Sequence, residues 1–321
     1  MRIALALLLM ISAAQAQVAT VPVTYTSTFG GNPPGTYTGV DCCGEDPTGK
    51  TACAYSVPDA NTFIVWRIGQ SLAGNNVSGA LPIDARVCNY NPYDGKLYAD
   101  GVRLLGPLAD APAGVCVNGD GSQCRDNVAR YIAADVLSGR HPNSFTKIIL
   151  IATPIGGSQA GFWIPPAAYA PHLSGIVANL VASGMTPHVV TLSLGESDSQ
   201  VPTSQADYYN NVLSMIANAR SAGLPATVPW IMNLETLGPS GSYAIGAANV
   251  RAAQLALIDP TNHVYSGPDY DVNIPWNSNC RLLPSPHLTG GGLVCGGGIT
   301  GGGAGWAALL EGNKYHNAGL Y

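Results

Sequence analysis

The sequence carries little charge of either sign. Charged residues make up 10% of the 321 residues, and the formal net charge is −5. Basic clusters are absent, and so is any interleaving of basic with aromatic side chains, so we expect no nucleic-acid partner. The low charge, together with 39 Gly and 24 Pro, indicates a loop-rich, uncharged surface. Such a surface suits an exported protein with neutral partners.

The chain also lacks an apolar run long enough to span a bilayer. Its most apolar segment, residues 3–11, follows Arg2 and precedes the small-x-small sequence Ala14-Gln15-Ala16. These are the three parts of a cleavable export signal. We predict a signal peptide at residues 1–16, cleaved near Ala16, and a mature protein that is secreted or periplasmic with no membrane attachment. An uncleaved anchor is the alternative.

Metal-binding spacings are missing as well. None of the eight cysteines lies in a C-x-x-C pair, and the histidines show no ligand spacing. An even number of cysteines after an export signal favours disulfides instead. We predict no metal ion and no cofactor. Of the 105 possible pairings of eight cysteines, two local ones would close short loops, Cys116 with Cys124 and Cys280 with Cys295.

From residue 62 onward, predicted strands alternate with amphipathic helices. Short links between them are typical of a parallel sheet covered by helices on both faces. The predicted fold class is therefore α/β: a three-layer α/β/α sandwich with a mostly parallel central sheet, rich in loops and disulfides. The predicted strands are 62–66, 147–152, 188–192, 228–233 and 263–266, and the predicted helices are 126–139, 173–184, 204–222 and 244–258.

This alternation also suggests where the domain begins. Residues 17–60 are rich in Thr, Gly and Pro and form a cysteine-containing N-terminal extension, with a strand over 21–26. Residues 61–321 are predicted to form one catalytic domain with inserts near 80–125 and 290–305. The first insert is expected to cross the edge of the sheet. The second is glycine-rich and is either a lid or a solvent-exposed loop.

One serine lies directly after the first strand of the α/β region. Gly69-Gln70-Ser71 follows the hydrophobic run 62–66, and a glycine-rich turn there would lift Ser71 to the carboxyl edge of the sheet. A serine at that edge is a candidate nucleophile if a base reaches it. Taken alone, Ser71 is better explained as a turn residue or a helix N-cap.

Three further segments follow later strands. They are Gly156-Gly157-Ser158, Gly195-Glu196-Ser197-Asp198, and His287 near the C-terminus. Because the carboxyl ends of parallel strands share one edge, we expect all four segments to converge. A serine and a histidine brought together in this way can act as nucleophile and base.

These four blocks resemble those of the SGNH (GDSL-like) hydrolases, and most closely the branch of sialate O-acetylesterases and acetylxylan esterases. The similarity covers about residues 60–321. It implies a flavodoxin-like α/β/α fold in which Ser71 attacks an ester carbonyl and His287 transfers the proton. The oxyanion donors would be the backbone N–H of Ser71 and of Gly157 or Gly156. The Gly-x-Ser-x-Gly motif of the α/β-hydrolases is absent.

Two positions depart from the family pattern. Pro284 replaces the Asp that usually lies three residues before the histidine, and Leu194 replaces a Gln oxyanion donor. The imidazole is then oriented by a backbone carbonyl or by another carboxylate, with Glu196, Asp198, Asp269 and Asp271 as candidates. We interpret Glu196 and Asp198 as structural groups that tie loop N–H groups together, with a direct acid role as the alternative. A Cys280–Cys295 bridge would bracket His287 and restrain it.

The resulting interpretation is a secreted serine carboxyl-ester hydrolase that removes O-acetyl or other short acyl groups from carbohydrate. Its partner would be a small acyl ester or an acetylated glycan, and its oligomeric state stays open. Two alternatives remain. One is an esterase for other short-chain or polymeric esters. The other is a catalytically inactive glycan-binding protein of the same fold.

Overall fold

The structure is a computed structural model that describes most of the α/β region and two short strands before it. The described residues are 24–27, 35–38, 51–74, 77, 82–92, 95–99, 128–139, 145–167, 169–237, 241–281, 283, 288–289, 293–295, 302–317 and 319.

A seven-stranded sheet forms the centre of this described part. Its strands lie in the order β5-β4-β6-β3-β7-β8-β9, all parallel except β5, which runs antiparallel to β4 at one edge. A separate antiparallel pair, β1 with β2, precedes it. The strands are β1 (Thr24–Ser27), β2 (Gly35–Thr38), β3 (Thr62–Gly69), β4 (Val87–Asn91), β5 (Lys96–Ala99), β6 (Lys147–Ala152), β7 (Val189–Ser193), β8 (Trp230–Leu234) and β9 (Val264–Asp269).

The order of the five central strands determines where a ligand binds. Read from β6 through β3 to β9, it is the 2-1-3-4-5 order of flavodoxin-like folds, with β4 and β5 added beyond β6. The chain leaves β3 toward one side of the sheet and later returns to its other side with β7. In such sheets the crevice for ligands opens at this switch point, outside the carboxyl ends of the strands.

The four helices predicted from apolar periodicity are present near their predicted bounds. Helix α4 begins after Ser204, whose hydroxyl accepts a hydrogen bond from the backbone N–H of Asp207 at 3.0 Å, as expected for an N-cap. The helices are α1 (Val128–Leu137), α2 (Ala170–Ala182), α3 (Glu196–Ser199), α4 (Gln205–Ser221), α5 (Ala247–Leu257), α6 (Tyr270–Asn273) and α7 (Gly302–Asn317).

Two hydrophobic cores lie on opposite faces of the sheet, and β3 contributes to both by strict alternation. Ile64, Trp66 and Ile68 pack with α2, α4 and α5, whereas Phe63 and Val65 pack with α1 and α7. All five side chains are at most 2% exposed. A strand buried on both faces has the continuous apolar sequence of a central parallel strand. The predicted three-layer α/β/α class is confirmed.

Some elements differ from the expectations. Strands β4 and β5 lie within residues 80–125, and α7 begins within residues 290–305, so parts of both segments belong to the regular layers. The N-terminal strand lies at Thr24–Ser27, close to the predicted 21–26.

Two disulfides join described cysteines. Cys280–Cys295 was predicted, and Cys53–Cys88 was not. The predicted partners Cys116 and Cys124 lie outside the described residues.

Two searches of the described residues gave negative results. None of the helices there has the length and apolarity needed to cross a membrane. Over the same part of the chain, no group of three or more His, Cys, Asp or Glu side chains could hold a metal ion.

Candidate active site

The turn that carries Ser71 is formed by a close approach of two backbones. β3 ends at Gly69, whose φ is +130° and where an added Cβ would lie 1.9 Å from the carbonyl oxygen of Ser193. Only glycine fits there. Gln70 N–H then donates to the same carbonyl at 2.7 Å, and Ser71 opens a single 3₁₀ turn, half-buried at the carboxyl edge. Ser71 therefore lies between β3 and β7, at the switch point.

The Gly156–Gly157 turn lies against the end of the same strand. Ile155 N–H donates to the Gly69 carbonyl at 2.8 Å, and the Ser158 hydroxyl donates to it at 3.3 Å. Gly156 and Gly157 are half-buried, and within the described residues their amides donate to no group. Amide N–H groups without partners next to a candidate nucleophile are what oxyanion binding requires.

The third block, residues 195–198, is joined to the first block, residues 69–71, through the side chain of Gln70. Its Oε1 accepts from the N–H of Ser197 at 3.1 Å and of Gly195 at 3.4 Å. Its Nε2 donates to Glu196 Oε2 at 2.6 Å. Gln70 and Glu196 are 2% and 6% exposed, so this contact is shielded from water. The residue before Ser71 therefore holds the turn after β7.

Asp198 joins the third block to the second. Its carboxylate accepts from the backbone N–H of Ala160 at 3.0 Å, where a short 3₁₀ helix (Ala160–Trp163) begins. Burial raises the pKa of Asp198 to about 7, while the hydrogen bond from Ala160 lowers it. These contacts are those of a group that ties loop backbone together.

Leu194 occupies the position of the family's Gln donor, and its side chain is fully buried in the core shared with α4 and α5. Its carbonyl accepts from the Tyr208 hydroxyl at 2.6 Å and from Gln254 Nε2 at 2.9 Å. Leu194 therefore supplies packing at this position and no side-chain donor.

His287 and Pro284 lie outside the described residues, but the residues on either side of them are described. Arg281 and Leu288 form an antiparallel bridge, and Thr289 N–H donates to the Cys280 carbonyl at 3.0 Å. The Cys280–Cys295 disulfide closes the same segment. The loop expected to carry the base is therefore held at both ends.

The two other candidate carboxylates are already engaged. Asp271 accepts from Thr236 N–H at 2.8 Å, from the Thr236 hydroxyl at 2.7 Å and from Leu237 N–H at 3.2 Å. Asp269 binds Arg251 in a two-pronged contact. Asp271 joins the loop after β8 to α6, and Asp269 joins the end of β9 to α5.

Several solved structures are similar to this chain. A protein of Arabidopsis thaliana superposes with a TM-score of 0.53 at 18% identity, over 80% of this chain and 97% of the other. This chain shares the α/β fold of that protein. A carbohydrate acetylesterase of Xanthomonas citri gives a TM-score of 0.49 at 12% identity, over 94% of this chain and 70% of the other. One of Sinorhizobium meliloti gives 0.43 at 12% identity, over 81% and 100%. No protein-family model and no curated protein matches the sequence.

Beneath the site, the fold contains a buried charge network that the motifs do not reveal. Arg67 on β3 and Glu311 on α7 are both 0% exposed, and Arg67 Nη1 donates to both carboxylate oxygens at 2.8 Å. Glu311 also accepts from Asn233, Tyr315 and Tyr270. In the sequence, this network is indicated only by Arg67, which lies inside an otherwise apolar strand. A buried cation requires a partner, so such an arginine predicts a buried counter-charge.

Proposed function

We propose that the chain is a serine carboxyl-ester hydrolase that removes O-acetyl or other short acyl groups from carbohydrate. One observation carries the proposal: Ser71 and the Gly156–Gly157 turn, far apart in sequence, both contact the end of β3 at the switch point of the sheet. Such an arrangement supplies a nucleophile and oxyanion donors on neighbouring turns.

In the proposed reaction, Ser71 Oγ attacks the ester carbonyl while His287 takes its proton. The backbone N–H of Ser71 and of Gly157 or Gly156 stabilise the oxyanion. His287 then protonates the leaving alcohol, and a water molecule repeats the sequence on the acyl-enzyme. Glu196 and Asp198 hold the turns in place without touching the substrate.

The substrate class is supported by the resemblance of the four blocks to the acetylesterase branch and by the small number of surface charges. A neutral acetylated glycan fits both. We further propose that the protein acts after export, because residues 1–16 have the parts of a signal peptide. A membrane partner and a nucleic acid are not part of the proposal.

The test compares the purified protein with Ser71→Ala and His287→Ala, using Ser221→Ala on the exposed end of α4 as the matched control. Hydrolysis of p-nitrophenyl acetate and of acetylated oligosaccharides is measured, together with intact mass after a fluorophosphonate probe. We expect one adduct and turnover in the parent and control, and neither in Ser71→Ala. Equal activity in all four proteins would overturn the proposal.

A catalytically inactive glycan-binding protein is the second candidate, favoured by Leu194 and Pro284, where the family has reacting or orienting groups. It predicts glycan affinity without turnover or labelling. An esterase for other short-chain or polymeric esters would show labelling of Ser71 and a different preference across a panel of esters.

A further inference from the structure

Glu235 is the feature that the proposed mechanism leaves unexplained. It follows β8, is 0% exposed, and neither of its carboxylate oxygens has a hydrogen-bond partner among the described residues. Its backbone packs tightly against the third block, since a Cβ on Gly195 would lie 2.3 Å from the Glu235 carbonyl oxygen. A buried ionised carboxylate without hydrogen bonds is highly unfavourable, whereas the neutral acid is tolerated far better.

The charges around Glu235 favour the neutral acid as well. Glu196 on α3 and Asp271 on α6 face it, and Glu311 on α7 adds a more distant negative charge. The pKa of Glu235 is raised well above its usual value, first by burial and then by Glu196 and Asp271. Two cations oppose them, but Arg67 is bound by Glu311, and Arg281 is shared among Glu196, Asp271 and Glu235.

Glu196 connects this cluster to the nucleophile. Its Oε2 accepts from Gln70 Nε2 at 2.6 Å, and Gln70 directly precedes Ser71. An ionised carboxylate accepts this hydrogen bond about twice as strongly as a neutral group does. Burial also raises the pKa of Glu196, to about 8, while Arg281 and the hydrogen bond from Gln70 lower it. Two interacting buried carboxyl groups lose their protons in separate steps, so Glu196 can carry its charge only while Glu235 keeps its proton.

We propose that Glu235 holds its proton as a neutral carboxylic acid, which lets Glu196 ionise first and, through Gln70, fix the turn that presents Ser71. Glu235 is thus a positioning residue that touches no substrate. The inference rests on the proposed esterase function for its effect on activity, but the protonation of Glu235 stands independently of it.

The proposal predicts an alkaline limit to activity. When pH rises far enough to ionise Glu235, a second buried negative charge opposes Glu196 and weakens its hold on Gln70. Glu235→Gln keeps the shape of the neutral acid and cannot ionise. Its kcat/KM at pH 7 should therefore stay within about threefold of the parent, with KM unchanged and the alkaline decline of kcat removed or shifted upward.

The experiment measures pH profiles of p-nitrophenyl acetate hydrolysis for the parent, Glu235→Gln and Asp207→Asn, an exposed-residue control. Infrared difference spectra at neutral pH record the carboxylic-acid C=O stretch of the same three proteins. Asp198, whose pKa is raised to about 7, contributes to this band as well. We therefore expect equal bands in the parent and the control, and in Glu235→Gln a band smaller by the contribution of one carboxylic acid.

A parent-like band in Glu235→Gln would overturn the proposal, since the proton would then lie elsewhere. A folded variant inactive at every pH would also overturn it, because Glu235 would then act as an ionised group. If no protein hydrolyses any ester yet the band is smaller in Glu235→Gln, the esterase function fails while the assignment of the proton is supported.

Discussion

Removal of the Glu311 carboxylate is predicted to destabilise the protein severely without touching the candidate site. In Glu311→Met, Arg67 Nη1 loses both of its 2.8 Å acceptors while the guanidinium stays at 0% exposure. Breaking one side of a buried ion pair typically costs about 3–5 kcal/mol, because the remaining charge is uncompensated. We expect a loss of this size in the free energy of unfolding.

The other contacts of Arg67 do not replace Glu311. Arg67 Nη2 still donates hydrogen bonds to the Leu72 carbonyl and the Ser193 hydroxyl, each at 3.3 Å. Both hydrogen bonds are long, and both acceptors are uncharged. The guanidinium also cannot escape by deprotonation, since its pKa lies far above neutral pH. Replacing both partners with apolar side chains removes the unpaired buried charge. The double variant Arg67→Met/Glu311→Met should therefore be more stable than Glu311→Met alone by about 2 kcal/mol or more.

Urea unfolding followed by tryptophan fluorescence measures all four corners of this double-mutant cycle. The exposed pair of Lys147 with Asp59 offers a contrast, because its solvent-screened charges should contribute far less. A loss below about 1 kcal/mol in Glu311→Met, or a double variant whose loss equals the sum of the single ones, would refute the reasoning.

Three further changes test the site and its surroundings. Leu194→Gln should lower stability by about 2–4 kcal/mol without raising kcat, because its side chain lies in the core; a faster enzyme would contradict this placement. Burial raises the pKa of Asp198 from 3.8 to about 7, so the folded state holds this proton longer than the unfolded state. Between about pH 4 and 7 the parent should therefore lose up to about 4 kcal/mol relative to Asp198→Asn, and parallel stability–pH curves would contradict this. Cys295→Ser should lower kcat strongly while the melting temperature changes little, since it removes the Cys280–Cys295 disulfide that restrains the segment containing His287. A loss of kcat explained fully by a loss of folded protein would count against that role.

Periodicity predicted the central part of the fold well. Strands β3, β6 and β7 and helices α1, α2 and α4 have continuous or amphipathic apolar patterns, and the structure has them close to the predicted bounds. Strands β4 and β5 were missed because they are short and lie among Asn, Gly and Cys. Helix α7 begins Gly302-Gly303-Ala304-Gly305, a composition that hides a helix from propensity arguments.

The sequence pointed to candidate site residues only where a reactive or donor group directly follows a predicted strand. Ser71, Gly157 and Glu196 could be named as candidates because each follows a predicted strand. Glu235 also follows one, but nothing local marks its carboxyl group as unpaired. Contacts across the chain, such as Cys53 with Cys88 or Arg67 with Glu311, depend on the three-dimensional packing and leave no spacing signal.

The separation of 244 positions between Arg67 and Glu311 has a consequence for synthesis of the chain. A ribosome delivers β3 early and α7 late, so the guanidinium of Arg67 lacks its counter-charge while most of the sheet is being made. Burial of β3 is unfavourable in that interval, because it would leave the Arg67 guanidinium buried without a counter-charge. We therefore expect the nascent chain to remain open and accessible to chaperones, and to reach its final packing in one late step when α7 docks.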